Sequence, residues 1–513
     1  MIGRCIAWSL LLTLLAISSA ALAQPEEVPP PPAEEDLAGR LTRLEEQARE
    51  RDAQLARALA RVEELEQRAA APAEAEEAEA AAEADAQGAE EADAQGAEEE
   101  DDAAEPAMRP LANLFTRFEH REGYDRAGVS VPIACVGLVA GATDGDCIRY
   151  RARVGFEIEP LEIARDVRVS VRFLPQVAGH WAMPNGGSST SGGFVDPVLG
   201  LHEGFLSLHL GEAFRVDVGR FEMVYGEHLT IGNLDWHPNG RAFDGARARF
   251  QPVEDGLFVD GFWTITTEGG LPAFGENDQY FYGLYAGLGP AIAPGLALDA
   301  YALVLQNNDS VDLLTGAERD FSLRLTLGGR FRHRVEMIDL RVESALQVGT
   351  AGQIRPADPQ VILAGHVDAE VGLNLLDDRL RFALEGLFAS GDGPSPDVNE
   401  AYNQLFPTGH LFLGLSDVMG GRTNIASGVL HVTGRPLPQL AIQLDWHVFA
   451  RPERPAGAVD NYAGTEGDLN VIWTPAEGLR GRVMYALFIP NAGFFPTDEP
   501  IHYLEIELGY VLK

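Results

Sequence analysis

Lysine and cysteine are nearly missing from this 513-residue chain, and after its first two dozen residues so is any long apolar run. Nothing beyond the N-terminus approaches the roughly 20 apolar residues a spanning helix needs, so any membrane span has to be made of strands. Lys513 is the one lysine, and genomic codon bias explains the preference for arginine more plainly than selection for guanidinium chemistry does. No Ser, His and Asp fall in a nucleophile motif, no glycine loop is built for phosphate, and the histidines lack metal-ligand spacing. These absences speak against an enzyme and against any cofactor or metal. The net charge of −39 argues against nucleic acid as a partner, although residues 71–106 concentrate fifteen Asp and Glu without one basic residue.

What is present begins with a signal peptide over residues 1–23. Arg4 supplies the charge, Leu10 to Ile17 the apolar core, and Ala21-Leu22-Ala23 the cleavage site before Gln24. Cys5 leaves with it. Cys135 and Cys147 remain, about a dozen residues apart, which in an oxidising compartment predicts one loop-closing disulfide.

Residues 24–36 form a Pro/Glu spacer containing the run Pro29 to Pro32. Over 37–68, Leu41, Leu44, Ala48, Arg51, Leu55, Ala58, Val62 and Leu65 step by three and four, predicting a short coiled coil with copies of this chain or with a periplasmic protein. A single solvated helix is the alternative, because Arg51 and two alanines weaken the seam. Residues 69–110 are an acidic low-complexity linker, with one octapeptide written twice at 84–91 and 92–99; they bury too little apolar area to fold alone.

From 111 to 513 short alternating segments take over. Ile148, Tyr150, Ala152, Val154, Phe156 and Ile158 share one face of a strand, and Arg149, Arg151, Arg153, Gly155 and Glu157 share the other. Such segments recur with centres near 116, 153, 172, 205, 218, 247, 262, 284, 301, 326, 344, 368, 385, 429, 445, 470, 484 and 507. Short connections such as 211–213 and 475–478 alternate with long ones such as 122–147, 223–242 and 391–423. An all-β transmembrane antiparallel β-barrel of about eighteen strands is predicted, lying in outer-membrane lipid with short periplasmic turns, long external loops and the N-terminal extension in the periplasm.

With apolar faces toward lipid, the pore-lining set includes Arg149, Arg151, Arg153, Arg168, Arg172, Arg247, Arg249, Arg324, Arg330, Arg332, Arg480 and Arg482. Acids such as Asp217, Glu343, Asp368, Glu385, Asp445, Glu505 and Glu507 face the same space. Two readings stay open: salt-bridge ladders that brace the barrel, or an arginine track along which an anion passes weak successive sites. Trp181, Trp263, Tyr280, Tyr282, Tyr285, Trp446 and Trp473 are assigned to lipid-facing girdles.

Two separated blocks carry a family resemblance. Gly219-Arg220 through Tyr225-Gly226, followed by Asp235-Trp236 and Arg241 to Gly245, including Phe243 and Asp244, resembles a motif of the alginate-export outer-membrane family. Leu405 to His410, Gly414 to Asp417, Asn424 and Gln443 to His447 resemble its later block. The resemblance runs from about Arg149 to Tyr510 and implies an eighteen-stranded barrel passing an anionic polysaccharide. A phosphate-selective or general porin for small anions is the alternative. A third reading makes the barrel an anchor and the extension an envelope tether.

Overall fold

The computed structural model describes residues 108–129, 143–181, 198–267, 277–311, 317–355 and 357–512. The predicted signal peptide, spacer and coiled coil, almost all of the acidic linker, and Cys135 lie outside the described residues; Cys147 is disulfide-bonded.

Burial is inverted relative to a water-soluble protein. Ile148 and Val154 are 43% and 61% exposed, whereas Arg149, Arg151 and Arg153, on the opposite face of the same strand, are 4%, 3% and 2% exposed. Strand side chains alternate, so an apolar surface outside and a charged surface inside is what a lipid-embedded barrel requires.

The strands run in chain order. The first nine are β1 (Met108–Glu122), β2 (Gly145–Ala164), β3 (Val167–His180), β4 (Val198–Leu210), β5 (Phe214–Phe221), β6 (Phe243–Phe250), β7 (Leu257–Thr267), β8 (Gln279–Leu288) and β9 (Leu296–Asn307). A two-residue hairpin, β10 (Ser310–Val311) and β11 (Glu318–Arg319), stands apart from the wall. Next come β12 (Ser322–Val335), β13 (Ile338–Ala351), β14 (Gln360–Leu375), β15 (Leu380–Ala389) and the two-residue β16 (Val398–Asn399). The last five are β17 (Ile425–Leu437), β18 (Leu440–Ala450), β19 (Tyr462–Ala476), β20 (Leu479–Pro490) and β21 (Ile501–Leu512).

Without the three two-residue strands, eighteen make the wall, and each predicted centre falls inside one of them. The sheet closes because β1 pairs antiparallel with β2 on one side and with β21 on the other, from Ala112↔Leu512 to Glu122↔His502. Closure leaves no unpaired edge in lipid.

The two ends differ. Short turns, such as 165–166 and 477–478, share one end with both wall termini, and Asp166, Glu336 and Asp378 adopt there the positive φ that tight hairpins use. All long connections lie at the other end. Two of them, 222–242 and 390–424, have buried interiors: Met223, Leu229 and Ile231 in the first, Tyr402, Leu413 and Met419 in the second, all at most 2% exposed. The lumen therefore contains an apolar core. Its members from these loops pack against wall residues such as Phe262, Phe281, Tyr285 and Tyr301.

Candidate functional site

The first inserted loop carries the first sequence block. Gly219 and Gly245 lie opposite each other where β5 meets β6, and Arg220 is ion-paired to Asp244 at 2.9 Å beside them. Gly226 turns the chain inward at φ +56°. The Tyr225 hydroxyl donates to Asp260 at 2.5 Å, and its ring stacks on Tyr285 with centroids 4.2 Å apart. Tyr285 therefore faces the lumen, which corrects its assignment to the lipid girdle: along β8 it shares a face with the fully buried Phe281.

The tip of this loop reaches far into the barrel. Asp235 Oδ1 takes Arg151 Nη2 at 2.9 Å and Arg153 Nη1 at 3.0 Å. Arg151 Nη1 also donates to the backbone carbonyls of Asp235 and His237, and Arg153 Nη2 to that of Asn239. Gly240, at φ +64°, has no room for a side chain, since a Cβ there would stand 2.3 Å from Arg153 Nη2. Asp235 also borders a cavity of about 490 Å³ with Asn113, Glu477, Gly478 and Arg480, at the turn end of the barrel.

The second loop carries the second block and binds the first. Ile231 and Phe406 form a parallel β-bridge, with Gly232 N–H donating to the Phe406 carbonyl at 2.8 Å and Phe406 N–H to that of Thr230 at 3.0 Å. Arg241 donates to the carbonyls of Gly232 and Pro407, and Phe243 meets the Phe406 ring edge-on at 5.4 Å. Trp236 stacks on His410 with centroids 3.9 Å apart and donates from Nε1 to Glu505 at 3.1 Å. On the far side, Ser416 gives its N–H and hydroxyl to Glu466 at 2.8 and 2.7 Å, and Leu415 N–H donates to Asp468. Gly414 lies against that carboxylate, and a Cβ there would stand 2.4 Å from Glu466 Oε2.

The predicted pore-lining arginines point inward, and most meet an acid. Arg149 pairs with Glu119, Arg172 with Glu157 and Glu203, Arg247 with Asp217, Arg249 with Asp260, Arg480 with Glu507 and Arg482 with Glu505. Arg330 and Arg332 share Glu227, which the first loop supplies. Arg168 donates to the Gly211 carbonyl and Arg324 to the Gln347 side chain. Glu370, Glu385 and His431 bring ligand-type atoms within 4.8 Å of one another, but Arg341 and Arg381 already engage the two carboxylates, so the cluster is an ion-pair brace.

Several central groups escaped the sequence reading. Arg117, Glu119 and Arg121 alternate in β1 as the β2 arginines do, so the same signal was there; Arg117, 1% exposed, bonds Glu507 at 2.6 Å. Glu466 alternates with Asp468 in β19 and carried that signal too. Glu222, Glu227 and Arg422 lie in loops, where no periodicity says which side chain turns inward.

Charge at the loop tip follows from its burial. Burial opposes ionisation of Asp235, but Arg151 and Arg153 outweigh it and hold the carboxyl below the ordinary range. Burial, aided by Arg149, pushes His237 down to about 4. The neutral ring accepts the Asn239 N–H at Nδ1, 3.2 Å away.

The family model described as alginate export matches residues 199–495, a span holding both inserted loops. Curated proteins yield no match. Among solved structures, Pseudomonas aeruginosa OccK2 (OpdF), in complex with glucuronate, superposes with a TM-score of 0.55 at 12% identity, over 79% of this chain and 98% of its own. Acinetobacter baumannii OccAB2 gives 0.53 at 10%, again over 79% and 98%, and Pseudomonas aeruginosa OccK11 (OpdR) 0.52 at 13%, over 79% and 96%. At these identities the likeness is one of fold. With the family match covering more than half of the chain and both sequence blocks, the chain belongs to the alginate-export family, outer-membrane β-barrel channels.

Proposed function

We propose that this channel passes an anionic polysaccharide, one acidic sugar after another, through a lumen narrowed by its two inserted loops. The observation that carries this reading is the cross-bonding of the two loops inside the barrel, through the Ile231–Phe406 bridge and the Arg241 contacts. Loops tied together in this way leave a narrow path, unlike the open lumen of a wide general porin.

An anionic cargo is supported by the arginine-rich sector of the wall. Arginine offers planar, paired donors that suit carboxylates and stays charged at any physiological pH. Most of these guanidiniums are braced by acids, so the selective contacts are few and belong at the turn-end cavity, where Arg480 keeps 44% of its side chain exposed. Turns of such barrels face the periplasm, so a chain leaving the cell would enter there.

Passage of single small carboxylates is the second reading, favoured by the likeness to OccK2, whose structure holds glucuronate. Single-channel recording separates the two. The polysaccharide reading expects a small anion-selective current that oligouronates block more strongly the longer they are. Block that is independent of length favours the small-solute reading, and a wide, weakly selective current overturns both.

A further inference from the structure

Buried ion pairs in this lumen fall into two kinds. In the first, acid and base both stand on wall strands and several acids share one guanidinium, as Glu119, Glu505 and Glu507 do around Arg117 and as Asp368, Glu370 and Glu385 do around Arg341. Such pairs are fixed by the barrel itself. Arg151 and Arg153 are different. Each has only 2% of its side chain exposed, and the acid that both meet within 3.0 Å is Asp235, borne on an inserted loop. Their remaining hydrogen-bond partners are neutral, Asn113 for Arg151, Gln176 for Arg153 and loop carbonyls for both, and the one further acid, Glu222 at 3.8 Å from Arg153, is borne on the same loop.

The Asp235 carboxylate is the open element of this arrangement. It uses one oxygen, Oδ1, for both guanidiniums, keeps 40% of its side chain exposed, and borders the 490 Å³ cavity at the turn end. That cavity is large enough for a hexuronate residue and opens where cargo from the periplasm arrives.

We propose that Arg151 and Arg153 form a two-guanidinium carboxylate site that Asp235 fills while the channel is idle, and that a carboxylate of the cargo displaces it. Asp235 is then a tethered stand-in for the sugar acid. The exchange swaps one carboxylate for another on the same pair of donors, so buried positive charge is never left uncompensated, and leaving it so is the costly alternative. The backbone carbonyls of Asp235, His237 and Asn239 stay bonded to the arginines, so the loop keeps its place while its side chain swings toward the cavity. A neutral sugar cannot make the exchange. Specificity for acidic residues thus comes from the competitor as well as from the arginines.

This inference rests on the channel reading above, and its test keeps the two apart. Wild-type protein, D235N and D235A are reconstituted in planar bilayers, and block by trigalacturonate added on the turn side is compared with block by neutral maltotriose. D235N keeps the size and most hydrogen bonding of the original side chain, so it reports even if D235A does not fold; heat-modifiable migration on gels verifies the barrel in each.

Removing a charge-assisted competitor should lower the half-blocking concentration of trigalacturonate about tenfold or more, with maltotriose unaffected. Block that appears only in the variants supports the proposal as well. If trigalacturonate blocks wild type and both variants at the same concentration, Asp235 is no competitor and the proposal falls while the channel reading stands. If it blocks none of them, both fall.

Discussion

The two inserted loops solve opposite electrostatic problems. Loop 222–242 brings Glu222, Glu227 and Asp235 to the arginine-bearing walls: Glu222 and Asp235 meet Arg153, and Glu227 meets Arg332 and also Arg330, which Asp299 of β9 holds from the wall. Loop 390–424 brings donors instead: the N–H groups of Leu415 and Ser416 and the Ser416 hydroxyl meet the buried carboxylates Glu466 and Asp468. Each loop is complementary to its sector. The arginine-bearing and acid-bearing sectors of the wall thus each offer a seat to one loop.

The strongest way to break this comparison is to remove the seat of the second loop alone. Glu466 is fully buried, and Glu466→Ala leaves three donors on Leu415 and Ser416 with one acceptor, Asp468. Leaving such groups unmet costs about 1–3 kcal/mol each. Trypsin should then cut the folded barrel at Arg422, which is 1% exposed and donates to the Leu229 carbonyl in the intact protein. Unchanged resistance at Arg422 would show that the loop has another anchor.

A smaller effect is expected where the loops hold each other. Arg241→Leu removes the Nη1 donor shared by the Gly232, Phe406 and Pro407 carbonyls, a charge-assisted interaction worth about 2 kcal/mol. Hydrogen exchange at the Gly232 and Phe406 amides should quicken roughly thirtyfold, with wall amides unaffected. Equal acceleration throughout would mean that loops and wall unfold as one unit.

The smallest effect is a pH dependence confined to the first loop. Burial holds His237 at about 4, below its ordinary 6.5, so the undocked state binds the additional proton between these values. Docking is then fully stable above 6.5 and weakens as the pH falls toward 4, the sign required when the free state holds more protons. Protonation also removes the acceptor that the Asn239 amide uses. Protection of the amides near Asn239, measured against their intrinsic exchange rate at each pH, should fall in that window in the wild type and stay level in His237→Gln; a fall in both would place the titration elsewhere.

Much of the wall was legible beforehand. Period-two alternation located all eighteen strands, because a barrel in lipid must keep one face apolar and every second residue reports it. Long and short connections told the two ends apart for the same reason. The site was less legible. Tyr285 is grouped with Tyr280 and Tyr282 in the girdle assignment although alternation puts it on the opposite face of the strand, and its stacking on Tyr225 exists only once loop 222–242 turns inward. The partners of the arginines were not legible from alternation: Asp235 is 82 residues from Arg153, and no local pattern links them.

By itself, then, the amino-acid sequence determined the barrel, its eighteen strands, its long-looped end and the two blocks that mark its family. Those properties depend on alternation and on residues close in the chain. Only the tertiary structure decided that the two blocks meet inside the lumen, with Phe406 beside Ile231 and Trp236 on His410, and that a loop aspartate occupies the arginine pair. Contacts across a closed barrel join residues far apart in sequence, and their register is set by packing that no single segment encodes.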